Sequence, residues 1–235
     1  MPDSQLLLAI DTCGPTGSVA LGRMVAGQSV EILGQTELEG RSYSSTLIAA
    51  VSELLERAGI TVSQLHAMVT VNGPGSFTGV RVGLATIKGL AEPARIPVVA
   101  VSRLEVLTGK VGLPSAALDA HRHEIYLRIG LAGAPTRELL AGAHELAEFS
   151  QQPLRIAVCD EASASVLSST WPAAELLHTA APTAADALAL CVPRIAAREF
   201  ADLALLDGHY LRRSDAEIFG QEISSPAAAL EQPRP

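Results

Sequence analysis

Short apolar runs, separated by turn formers and by helical stretches, divide the chain into a regular order of elements. Residues 6–10 are all apolar and end in Asp11-Thr12, which predicts a short buried strand. The turn formers Cys13-Gly14-Pro15-Thr16-Gly17 follow, and residues 18–23 read as the returning strand of a hairpin. Residues 29–38 predict a third strand. Residues 41–58 carry apolar positions at helical spacing, with Gly59 placed to close the helix. Residues 66–71 are apolar and β-branched toward their end, as in a strand covered on both faces. Gly73-Pro74-Gly75 breaks that strand, and Ser76 or Thr78 is placed to cap a helix over 77–91 that Glu92-Pro93 ends. A buried strand over 97–101 and a short helix from Ser102 to residue 107 complete the first half.

The pattern then restarts after a glycine- and proline-containing link at 108–115. Residues 116–119 form a strand ending in Asp119, as the first strand ended in Asp11. Residues 124–129 return, 137–140 add a third strand, and a helix near 145–149 precedes a buried strand at 155–159. Helices near 162–168 and over 184–199 follow. The order β-β-β-α-β-α-β-α is that of a ribonuclease-H-like lobe, and a repeat of it means two related lobes. Two such lobes in tandem make the α/β actin-like ATPase architecture, here with the second lobe reduced. The expected division is 1–110 for the N-terminal lobe, 111–220 for the C-terminal lobe, and a mobile tail over 221–235, rich in Pro, Ala, Ser and Gln.

The two helices of the first lobe carry more apolar surface than one sheet needs. Tyr43, Leu47, Ile48, Ala50, Val51, Leu54, Leu55 and Ala58 span roughly 160° of the wheel, against about 100° for a helix with one packing face. In the 77–91 helix only Arg81 and Lys88 are charged, while Gly79, Val80, Gly83 and Ile87 are small or apolar. Glycine inside a helix is disfavoured by about 1 kcal/mol relative to alanine, so Gly79 and Gly83 suggest close approach of another backbone. Two readings stay open from the pattern: a central core helix, or a helix partly buried by a partner.

Composition narrows the function classes. The 235 residues carry a net charge of −8, which argues against a chain that grips nucleic acid by itself. Cys13, Cys159 and Cys191 are far apart with no CxxC pair, which fits a reducing compartment and offers no metal cluster. No basic segment leads into a long apolar run, and no stretch approaches the ~18–20 apolar residues of a membrane helix, so a cytoplasmic protein is expected.

Candidate chemistry sits at the strand ends. In actin-like ATPases the two hairpins face each other across a cleft and hold phosphates. Asp11, Thr12, Gly75 and Asp119 are accordingly the candidate nucleotide contacts, although Pro15 has no amide to donate and the second hairpin, Ala120-His121-Arg122-His123, has no glycine. Three readings stand: turns without a ligand, a working ATPase cleft, or a weak or shared nucleotide site. His121 and His123 would share one side of a strand, as a metal pair or in a solvated turn. Ser76 lacks the G-x-S-x-G setting of a nucleophile, and the loop lacks the G-K-[ST] of a P-loop, so a capping role is expected.

Ala9-Ile10-Asp11-Thr12, the long run Gly73-Pro74-Gly75-Ser76-Phe77-Thr78-Gly79-Val80-Arg81-Val82-Gly83, Leu118-Asp119-Ala120 and Tyr210-Leu211-Arg212-Arg213 together resemble the TsaB family. These are the non-catalytic subunits of the bacterial complex that makes threonylcarbamoyladenosine on tRNA. The resemblance runs from Leu6 to about Phe219, and the long glycine-containing run is its specific part. It implies a partner, TsaD, which is similar in fold and transfers threonylcarbamoyl to the adenosine beside the anticodon. TsaD holds a metal with two histidines four apart. Arg103 and Leu107 stand at the corresponding positions here, and neither coordinates a metal, so a scaffold role is implied with no catalytic residue and no metal of its own. The resemblance also implies TsaE in the ternary complex, a homodimer when alone, contact with tRNA only through partners, and ATP or ADP only at the complex interface. By it, the partner face lies on the first two helices: Tyr43, Leu47, Ile48, Val51, Leu54, Gly79, Val80, Gly83 and Ile87. The alternative is an enzyme in its own right, an actin-like ATPase or a metallopeptidase-like (glycoprotease-like) protein.

Overall fold

The computed structural model describes residues 4–25, 28–40 and 42–212. Arg41, Arg213 and the expected tail at 221–235 lie outside the described residues.

The first lobe contains β1 (Gln5–Asp11), β2 (Thr16–Val25), β3 (Ser29–Glu39), α1 (Tyr43–Arg57), β4 (Ala67–Val71), α2 (Phe77–Ala94) and β5 (Val98–Val101). Its sheet runs β3-β2-β1-β4-β5. The first three strands pair antiparallel and the last two join in parallel. Then come α3 (Arg103–Val111), β6 (Ala116–Asp119), β7 (Glu124–Ile129), β8 (Arg137–Gly142), α4 (Ala143–Ala147), β9 (Arg155–Val158), α5 (Glu161–Thr170), β10 (Glu175–His178) and α6 (Ala184–Ala196). The second sheet, β8-β7-β6-β9-β10, repeats the first in order and in strand direction. Two lobes of one ribonuclease-H-like topology make the actin-like architecture. The second is the reduced one: five-residue α4 stands where the first lobe has fifteen-residue α1.

Both faces of the first sheet are covered. Gly17 on β2 faces Tyr43 of α1, while the adjacent Ser18 accepts the amide of Ala184 at the start of α6 (2.8 Å). Successive strand residues point to opposite faces, so α1 and α2 cover one side and α6 the other. The apolar stripe of α6, Ala184, Ala187, Leu188, Cys191, Val192 and Ile195, is fully spent on this contact. Thus α6 packs on the first sheet, although it follows the second in sequence.

The second sheet takes α3 in exchange. Leu104 and Leu107 pack with Leu118, Tyr126 and Ala157. On its other core, Trp171 is completely buried, its indole donates to the Leu146 carbonyl (2.9 Å), and Phe149 meets it edge-on.

Several boundaries differ from the sequence pattern. Residues 108–111 belong to α3 and not to a link, because Gly109 fits without a side chain against Leu190 of α6. Helix α2 continues through Pro93 to Ala94 and closes on Arg95, which has φ 53°. Proline is tolerated there because it lies in the last turn, where the carbonyl it leaves unpaired is that of exposed Gly89. Helix α4 starts two residues before its expected place, since the Glu145 carboxylate caps the Gly142 amide (2.9 Å). Strand β10 has only four residues and a single half-buried apolar pair, too weak a pattern to stand out.

Candidate functional site

The strand-end aspartate of β1 points inward. Asp11 is 1% exposed; one carboxylate oxygen accepts the Cys13 amide (2.9 Å) and the other accepts Nε of Arg103 (3.4 Å). Arg103 opens α3, just after Ser102 has capped it through the Leu104 amide. Burial alone would lower the guanidinium's pKa, but the Asp11 carboxylate, together with the Cys13 and Cys159 sulfurs, outweighs it and holds it raised. Burial, then the Asp11 charge, pushes the Cys13 thiol well up, and that thiol donates to the Val71 carbonyl (3.2 Å). Burial, again followed by Asp11, raises the Tyr43 phenol, which donates to the Gly14 carbonyl (2.8 Å).

The glycine-rich loop locks onto this hairpin. Ser76 donates its amide to the Cys13 carbonyl (2.8 Å), and its hydroxyl accepts the Gly79 amide (3.3 Å), a helix cap. Thr12, fully buried, donates its hydroxyl to the Gly79 carbonyl (2.7 Å). A β-carbon at Gly79 would collide with the Thr12 carbonyl, and one at Gly83 with the Thr12 hydroxyl. The close approach that these two glycines signal is therefore made by the chain's own first hairpin.

The second hairpin is more open. Asp119 accepts the His121 amide (2.7 Å) and pairs with the His121 ring (2.8 Å). His121, Arg122 and His123 all adopt left-handed backbone, φ 62°, 58° and 62°. Consequently the two histidines lie in a turn and not on a strand, where they would share a side. Among the described residues no group of three or more His, Cys, Asp or Glu could hold a metal.

Between the hairpins lies a cleft of about 980 Å³, lined by Gly14, Pro15, Gly75, Phe77, Asp119, Arg122 and others. Of the four candidate nucleotide contacts, Gly75 and Asp119 reach it; Asp11 and Thr12 lie behind its wall. A phosphate at the first hairpin does not fit the residues present. The Arg103 guanidinium fills the space beside Gly14, Asp11 and Thr12 are committed inside the fold, and Pro15 has no N–H.

The first two helices also differ from the wheel reading. Tyr43, Leu47, Val51, Leu54, Gly79, Val80, Gly83 and Ile87 are all buried within the single chain, against the sheet and the first hairpin. Leu54, for example, lies against Gly34 of β3. Most of the broad apolar arc is thus consumed internally. Ile48, at 56% exposed, and Ala58 at the end of α1 are the exceptions. The outward positions of α1 and α2 present exposed Ala49, Ala85 and Gly89 and half-buried Val82 and Leu90, together with the charged Glu53, Arg81 and Glu92. A β-carbon at Gly89 would meet nothing, so this surface is open and shallow. Sequence reasoning missed Ala49, Ala85 and Gly89, whose signal was their small size at outward helix positions.

Paired hairpins across a cleft, carried on two lobes of one topology, define a two-lobed actin-like protein whose first hairpin is filled by its own arginine. The comparisons with known proteins narrow this class. The family described as TsaD, tRNA N6-adenosine threonylcarbamoyltransferase, matches residues 34–135. The chain is 35% identical over 126 residues to a tRNA threonylcarbamoyladenosine biosynthesis protein TsaB of Haemophilus influenzae, covering 51% of each. It is 36% identical over 124 residues to TsaB of Bacillus subtilis, covering 51% of this chain and 52% of that one. The chain spans about half the length of the curated relatives it matches. A Pseudomonas aeruginosa protein, described as similar to peptidase YeaZ, superposes with a TM-score of 0.71 at 27% identity, over 88% of this chain and 100% of that one. The chain is therefore similar to TsaB in sequence over about half its length, and to this YeaZ-like protein in fold over 88% of it. Among the described residues no helix is long and apolar enough to cross a membrane.

Proposed function

We propose that the chain acts in tRNA threonylcarbamoyladenosine synthesis as a non-catalytic subunit that binds and supports a TsaD-type transferase. The observation that carries this reading is the set of apolar and small residues that the outward positions of α1 and α2 leave to solvent, Ile48 at 56% with Ala49 on α1, and Ala85 and Gly89 on α2. Two adjacent helices with such a face form half of a four-helix bundle, which a matching pair from another chain completes. The same face serves a homodimer when the chain is alone. TsaE is a further member of the complex, tRNA is reached through partners, and any ATP or ADP is held at the complex interface. The filled first hairpin and the capping role of Ser76 weigh against an independent ATPase or peptidase.

The test is Ile48→Glu, titrated into a purified TsaD-type transferase by calorimetry. A carboxylate at an exposed helix position is tolerated in the free chain but strongly disfavoured once covered without a partner. Binding should weaken by at least ten-fold with an unchanged circular dichroism spectrum. Unchanged affinity would remove this face from the mechanism.

A further inference from the structure

After α6 the described chain first follows the edge of the first lobe. The Ala201 amide donates to the Val98 carbonyl of β5 (2.8 Å), and the chain then runs to the mouth of the cleft. There residues 207–212 hold both lobes at once. On the first lobe, His209 donates its amide to the Asn72 carbonyl (2.7 Å) and the Asn72 side chain donates back to the Asp207 carbonyl (3.2 Å). Tyr210 stacks on Phe77, the first residue of α2, with ring centroids 5.1 Å apart and 12° between planes. Arg81, one turn further on, places its guanidinium 5.8 Å from both rings. On the second lobe, the His209 ring meets Glu138 of β8 (2.8 Å), Leu211 packs beside Leu104 and Leu118, and Arg212 pairs with Glu124 of β7 (2.5 Å).

We infer that residues 207–212 are an interlobe strap that fixes the width of the cleft and couples it to the placement of α2. The coupling half of this inference rests on the proposed partner face. The physical argument is one of geometry. The strap grips the first turn of α2 and the loop before it, and the same six residues grip β7 and β8. A change in lobe separation must therefore either break the strap or drag the start of α2 with it. Packed contacts of this kind have discrete arrangements, and a ligand that favours one of them shifts the other end. Docking on the outward face of α2 then narrows the range of cleft widths, and a loosened strap weakens docking by the same factor, because binding linkage is reciprocal.

The experiment uses spin labels on Ser63→Cys in the first lobe and Ser165→Cys in the second, both exposed, in a Cys159→Ser background that removes the cleft thiol. Tyr210→Ala should broaden the interlobe distance distribution, and Tyr210→Phe, which keeps the ring, should not. The same Tyr210→Ala variant should bind the transferase about ten-fold more weakly, and bound transferase should narrow the distribution of the parent chain. If Tyr210→Ala fails to fold, Glu138→Gln carries the same test from the other lobe. An unchanged distribution in the folded variant overturns the strap. A broadened distribution with unchanged affinity overturns the coupling alone. If Ile48→Glu also leaves affinity unchanged, it is the partner face that fails, and the strap is still judged by the distances of the isolated chain.

Discussion

Arg103 and Asp11, 92 positions apart in sequence, form an ion pair at 3.4 Å with side chains only 7% and 1% exposed. Two charges this deeply withdrawn from water hold each other in place, and the loss of either leaves the other uncompensated. Arg103→Leu should therefore destabilise the chain by about 3–5 kcal/mol, while the double variant Asp11→Asn with Arg103→Leu should recover part of the loss. Urea denaturation of the two variants and the parent is the check; equal stability of the single variant and the parent would mean that the pair contributes nothing.

The glycines of α2 divide by what lies opposite them. Gly79→Ala drives a methyl group into the Thr12 carbonyl and should destabilise by about 1–3 kcal/mol. Gly83→Leu should be worse, since Thr12 and Ile10 are in the way. Gly89→Ala faces open space and should stabilise by about 0.5–1 kcal/mol through helix propensity alone. Thermal melts of the set should show opposite signs at positions 79 and 89; a shared sign would contradict the packing described for this helix.

Leu47 and Ile48 are neighbours with opposite expectations. Leu47 is 1% exposed, so Leu47→Glu should unfold the chain or destabilise it by more than about 4 kcal/mol. Ile48→Glu should leave the melting temperature within a few degrees of the parent. Circular dichroism melts separate the two, and equal destabilisation would place the outward face of α1 elsewhere.

Glu138 gives the stability a defined dependence on acid. Burial alone would push its carboxyl up, but hydrogen bonds from His209, Ser102 and Arg128 outweigh it and hold the carboxyl below its usual range. A depressed folded value means that the contribution is fully present above the unfolded carboxyl value of about 4.3, and is lost as pH falls from there through the folded value. Glu138→Gln should flatten the loss of stability on acidification through that window. Denaturation midpoints between pH 6 and pH 3 supply the comparison, and identical slopes for variant and parent would refute the role given to this carboxylate.

The repeat of the two lobes was legible because it is local. Apolar runs ending in Asp11 and Asp119 mark the two hairpins, and β6 and β7 fall where residues 116–119 and 124–129 placed them. What could not be read is whatever depends on a distant neighbour. Gly79 and Gly83 announce a close approach, but their spacing is the same whether the neighbour is Thr12 or another molecule. The apolar arc of α1 likewise records how much surface is covered, not that Tyr43 and Leu54 spend it on Gly17, Gly14 and Gly34. Arg103 looked like a substituted metal ligand; that it fills the hairpin required the fold.

The placement of α6 has a consequence for synthesis. Ser18 meets its partner at Ala184 across 166 positions of chain. From the end of β5 at Val101 to Ala184, a ribosome adding about 5–20 residues per second takes roughly 4–17 seconds. For that time β1 to β5 can pair, yet one apolar face of their sheet has nothing to lie against. The nascent first half is thus a substrate for holding chaperones until α6 emerges, and a fragment cut after β5 would precipitate instead of folding.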